Sequence, residues 1–106
     1  MSKLIQLLTA IGLPYAYDHF AEGESPQPPF VCCLIPDTDN FAADGMAYFK
    51  INNVCFELYT DKKEPATEKL VEDVLDLNGI FYDKSETWIE SEKLFEVIYS
   101  FQMEDQ

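Results

Sequence analysis

The spacing of hydrophobic positions changes repeatedly along the chain, and each period predicts an element. Leu4, Ile5, Leu7, Leu8 and Ile11 recur at helical spacing, with Ser2 placed to cap the helix and Gly12 and Pro14 to end it. A short aromatic run, Tyr15–Phe20, reads as extended, and the Pro-, Gly- and Glu-rich stretch Ala21–Pro29 reads as an exposed loop. The continuous apolar run Phe30–Ile35, bounded by prolines, fits a buried strand. Pro36–Gly45 reads as a second loop, carrying an exposed aromatic at Phe41.

The middle of the chain alternates with period two. Met46–Ile51 and Val54–Thr60 are expected to form a hairpin turning at Asn52-Asn53, because asparagine tolerates the positive φ of a tight turn. Ala47, Phe49 and Ile51 would share one face, and Val54, Phe56 and Leu58 one face of the partner. Helical spacing returns after Pro65. Leu70, Val71, Val74, Leu75 and Leu77 form the expected buried stripe, Glu68, Lys69, Glu72, Asp73 and Asp76 the wet side, and Asn78-Gly79 the stop. Gly79–Met103 then reads as a long hairpin. In its last strand Phe95, Val97, Tyr99, Phe101 and Met103 alternate with Leu94, Glu96, Ile98, Ser100 and Gln102, the mark of a half-buried antiparallel strand. Trp88, Glu86, Glu90, Glu96 and Lys93 are read as belonging to its outer side. The expected fold is α+β, a single domain over residues 1–106, in the order α-β-β-β-β-α-β-β. Two helices would pack on one face of a mostly antiparallel sheet of five or six strands.

Composition narrows what such a domain can do. A chain of 106 residues buries roughly 60–70% of its unfolded surface, enough for a core. Twenty acidic residues face seven basic ones, all lysines, for a net charge of −13. Without arginine the chain lacks the planar fork that grips phosphates, which argues against tight nucleic-acid binding. Cys32 and Cys33 are adjacent, so on a strand they point to opposite faces and suit neither a mutual disulfide nor a metal pair. With Cys55 they read as free thiols in a reducing compartment. The N-terminal apolar stretch is too short to span a membrane and lacks a signal-peptide layout.

Candidate chemistry is sparse. His19, the single histidine, has no local nucleophile signature, although Cys32, Cys33 and Cys55 are possible partners in space. Asp37, Asp39 and Asp44 invite comparison with a calcium loop, but Phe41 and Ala42 stand where an oxygen ligand and a glycine are needed. With twenty acids, carboxylate pairs such as Glu86 and Glu90 carry no information. Phosphate-cradling loops, dinucleotide fingerprints and nucleophile elbows are not found. No catalytic, cofactor or metal residue is assigned, and the chain reads as a non-enzyme. The remaining chemistry is surface. Phe41, Tyr48, Tyr59, Tyr82, Trp88 and Lys93 are the candidate interface residues, since tyrosine and tryptophan are favoured anchors.

Three stretches, Leu13–Gly45, Phe49–Pro65 and Gly79–Phe101, together with the element order, resemble small neck proteins of long-tailed phages and prophages of Gram-positive bacteria, of the tail-completion or tail-terminator type. The resemblance implies a structural protein without catalysis. It would form a ring, a hexamer, at the head–tail junction between tail-tube and head-connector proteins. It would be found in the host cytoplasm during assembly and then in the virion neck. No site residues carry over. The competing expectations are an acidic inhibitor that imitates DNA and an adaptor, either acting as a monomer or dimer.

Overall fold

The computed structural model describes residues 3–21, 23–43 and 47–104, and for 41–43 and 47–49 the backbone alone. The expected cap Ser2 and the strand start Met46 lie outside those residues. The elements are α1 (Lys3–Ile11), β1 (Tyr15–Tyr17), β2 (Phe30–Thr38), β3 (Phe41–Ala43), β4 (Ala47–Phe49), β5 (Ile51–Thr60), α2 (Pro65–Leu77), β6 (Asp83–Ile89) and β7 (Leu94–Glu104). There is thus one more strand before the second helix than expected.

The main sheet has five strands in the order β1-β2-β5-β7-β6, and β3-β4 form a separate two-stranded ribbon. The sheet is mixed: β1 pairs parallel to β2, while the other ladders are antiparallel. The parallel pair arises because Ala21–Pro29, rich in proline, carries the chain back before β2 begins instead of turning it tightly.

The hairpin expected at Asn52-Asn53 does not exist. Both residues lie inside β5, which pairs on each side: Asn52 opposes Thr38 and Met103, and Asn53 opposes Asp37 and Gln102. Asn53 Nδ2 donates to Asp37 Oδ1 at 2.6 Å, and Gln102 Nε2 to Asn53 Oδ1 at 2.9 Å. A ladder on both edges and matched side-chain amides outweigh the turn preference of asparagine. The chain reverses instead between Thr38, where β2 ends, and Ile51, where β5 begins, and the β3–β4 ribbon there replaces the expected loop.

Both helices feed one core cluster. Leu7, Leu8 and Ile11 from α1 and Val71 and Leu75 from α2 meet Val31, Cys33, Val54, Phe56, Leu58, Val97, Tyr99 and Phe101 from the sheet. Phe56 and Phe101 pack edge-to-face at 5.0 Å. Gly12 and Gly79, at φ +83° and +68°, occupy the left-handed conformation that ends each helix.

The α2 stripe differs from expectation at three places. Leu70 and Leu77 are exposed, while Glu68 is only 3% exposed. Counting back from Leu75 and Val71 in steps of three or four reaches Glu68, so the helical period itself puts this carboxylate under the helix.

Candidate functional site

The sheet has a helix-bearing face and an open one. Register assigns Phe30, Cys32 and Leu34, then Tyr59, Glu57 and Cys55, then Glu96, Ile98 and Ser100 to the open face, because paired residues point the same way. The outer strand β6 adds Ser85 and Thr87 to it. Trp88 and Glu86 oppose Phe95 and Val97 and therefore lie on the helix-bearing face, not with Glu96 as their grouping in the sequence implied. The error is one of register: a single-residue step exchanges the faces of a strand.

The most constructed part of the open face is an aromatic row ending in two carboxylates. Phe20 meets Phe30 edge-on at 5.3 Å, and Phe30 stacks on Tyr59 at 5.2 Å. The Tyr59 hydroxyl lies 3.0 Å from Glu57 Oε1 and 2.7 Å from Glu96 Oε2. It has one proton to donate, so it serves only one carboxylate at a time. Burial pushes the Glu57 carboxyl above its ordinary range; the Tyr59 bond opposes this, and the charges of Glu96 and Asp18 add to it. Burial, then the bond to Glu96 and the charge of Glu57, push Tyr59 far above an ordinary phenol.

Beside this row Asp18, His19, Phe20, Ser25, Pro26 and Pro28, with the β6–β7 turn, border an open hollow of about 510 Å³. Asp18, His19, Phe30, Cys32, Tyr59 and Glu92 are among its walls. His19 Nδ1 and Asp18 Oδ2 are 2.8 Å apart, both exposed. His19 and Cys32 therefore share a cavity, but burial and the Glu57 charge raise the Cys32 thiol to about 11, the reverse of what a nucleophile needs. Cys33 points into the core and is raised to about 12 by burial. Cys32, Cys33 and Cys55 are all free.

On the helix-bearing face an ion network ties α2 to β6. Lys63 Nζ is 2.9 Å from each oxygen of Glu68, and Lys84 Nζ is 2.9 Å from Glu68 and 2.7 Å from Glu72. Lys63 also reaches Glu86 at 2.8 Å, and the Tyr99 hydroxyl donates to Glu72 at 2.8 Å. Burial alone would raise the Glu68 carboxyl, but the bonds from Lys63 and Lys84 overcome it and hold the group below its ordinary value.

The interface residues expected from sequence are not brought together. Tyr59 sits on the open face, near the end of the central strand β5. Tyr82 packs edge-to-face on Tyr99 at 5.5 Å against the core. Trp88 is 46% exposed on the helix-bearing side of the outer strand. Lys93 holds the β6–β7 turn with φ +55° and pairs with Glu90. Phe41 and Tyr48 lie in the β3–β4 ribbon, their side chains outside the described residues. Glu57 and Phe30 were missed; Cys32 entered only as a possible partner of His19, and Glu96 only as a residue of the hairpin's outer side. The available signal was Glu57 itself, an acid alternating with Phe56 and Leu58 in a strand whose other face is core.

Among the described residues no group of three or more His, Cys, Asp or Glu could hold a metal ion, and no helix is long and apolar enough to cross a membrane. Of the three aspartates that invited comparison with a calcium loop, Asp37 and Asp39 instead accept from Asn53 and Gln102, and Asp44 lies outside the described residues. Neither protein-family models nor characterised protein sequences match this chain. Its fold is similar to that of a solved chain from the virion of a native gene transfer agent particle. The TM-score is 0.58 at 15% identity, over 92% of this chain and 82% of that one.

Proposed function

We propose that this chain is a non-enzymatic structural subunit of a phage-type particle, of the tail-completion or tail-terminator kind. In this reading copies assemble as a hexameric ring at the head–tail junction, in contact with tail-tube and head-connector proteins. The observation that carries the proposal is the fold likeness to a virion chain, which extends over 92% of the residues. The sequence phrases that resemble phage neck proteins support it independently.

The physical character of the chain fits the role. A ring subunit needs two different complementary surfaces, one for each neighbour. In this reading the candidates are the β3–β4 ribbon and the part of the open sheet face away from the hollow beside Tyr59, at different places on the molecule. A channel through which DNA slides must not grip it, and a net charge of −13 without arginine offers few phosphate contacts. Catalysis has little to work with, since burial keeps Cys32 and Cys33 protonated.

Two measurements on the purified chain test the reading against an acidic decoy. Mass in solution is expected to show higher oligomers as concentration rises, and labelled duplex DNA is expected to remain unbound at physiological salt. A chain that stays monomeric or dimeric and blocks a DNA-binding protein contradicts the proposal. Tight DNA binding contradicts the sliding-channel role.

A further inference from the structure

We propose that the hollow beside Tyr59 is a docking site for an arginine side chain of a partner protein other than a second copy of this chain. The inference rests on the hollow itself and not on the ring reading.

The walls are of a kind that a guanidinium packs against. Phe20, Phe30 and Tyr59 present a continuous aromatic row, with Pro26 and Pro28 beside it. A guanidinium is planar, weakly hydrated and stacks on aromatic faces, so it enters such a site at lower cost than an ammonium. About 510 Å³ gives room for the side chain and its flanking backbone.

The far end of the row fits its charge. Glu57 lines the hollow, and Glu96, just outside its lining, meets it at the Tyr59 hydroxyl, whose single proton serves only one of the two carboxylates at a time. Asp18 and Glu92 also line the hollow, Asp18 already engaged with His19, and no lysine is among the described lining residues. A guanidinium brings five N–H donors and a full positive charge to this place. The same acids repel a phosphate backbone, which sets nucleic acid aside.

An arginine must come from another protein. This chain has no arginine, and at least five of its seven lysines are bonded within it: Lys3 to Asn78, Lys63 to Glu68 and Glu86, Lys69 to Asp73, Lys84 to Glu68 and Glu72, and Lys93 to Glu90. A second copy therefore has little to offer the hollow.

The test is an amide NMR titration of the full chain at about 0.15 M salt with acetyl-Gly-Arg-Gly amide, and in parallel with its neutral citrulline counterpart. Saturable shifts confined to Phe30, Glu57, Tyr59, Glu96 and their neighbours are expected with arginine and not with citrulline. The double variant Glu57→Gln/Glu96→Gln should bind roughly tenfold more weakly. Asp73→Asn/Asp76→Asn, which removes the same charge from α2, should bind like the unsubstituted chain. Shifts scattered over the acids of α2, equal response to citrulline, no saturable shift, or undiminished binding by the Glu57/Glu96 variant would each overturn the proposal. If that variant fails to fold, the map on the unsubstituted chain and the citrulline comparison decide. Because the titration needs no assembly, its failure is separable from failure of the ring reading.

Discussion

Two glutamates with opposite pKa shifts show how position alone decides what a carboxylate contributes. Glu68 is buried but bonded to Lys63 and Lys84, and its carboxyl is held below the ordinary value near 4.5. Its stabilising contribution is therefore complete above that pH and is lost as pH falls through the folded value. Glu68→Gln is expected to lower unfolding free energy by about 1–3 kcal/mol at neutral pH, with the difference from the unsubstituted chain vanishing in acid; urea titrations across pH measure it. Glu57 behaves in the opposite sense. Its carboxyl is raised by burial, so the folded chain holds the proton more tightly than the unfolded one, and stability falls as pH rises through the folded value. Glu57→Gln should accordingly raise the thermal midpoint at pH 7 relative to the unsubstituted chain, and a lowered midpoint would show that the carboxylate is better satisfied than its surroundings imply. Neither glutamate was singled out from the sequence, although the alternation around Glu57 and the helical count back to Glu68 were there to be read. Composition marks both as solvated, and only the register of β5 and the helical phase of α2 separate them.

At the scale of elements, what periodicity encodes was legible and what competing preferences decide was not. The β7 alternation from Phe95 to Met103 and the Leu7, Leu8, Ile11 stripe are long enough that one face must be buried, and both are core or packed against it. Asn52-Asn53 carried a turn signal that lost to pairing with two neighbouring strands. That outcome depends on residues distant in sequence, Asp37 and Gln102, which no local pattern reveals. The parallel placement of β1 is likewise set by where a loop ends. The site was hidden for the same reason, since Phe20, Phe30, Tyr59 and Glu96 meet only once the strands are in register. The topology predicts a gradient of protection. Amides of β5 and β7, paired on both sides, should exchange slowest. Outward amides of β6 and β1, at the sheet edges, should exchange fastest among strand residues, and hydrogen exchange read by NMR checks the order. Fast exchange throughout Asn52–Asn53 would restore the hairpin that the sequence implied.

The whole molecule is longer than a globule of its size needs to be. Its radius of gyration is 15.0 Å and its principal extents are 49 × 30 × 25 Å, against about 13 Å expected for a compact chain of this length. The body is elongated and strongly acidic, with an open sheet face and a separate ribbon, and its fold is similar to that of a chain from a virion. The central claim, a ring subunit acting at the end of a tail, is tested most directly by mixing the purified chain with tail tubes from the particle whose genes flank its own and imaging them by negative-stain electron microscopy. A six-fold ring of added density is expected at one end of each tube, absent when the chain is omitted. Bare tube ends at saturating concentration, with the chain remaining a free monomer or dimer, would contradict it.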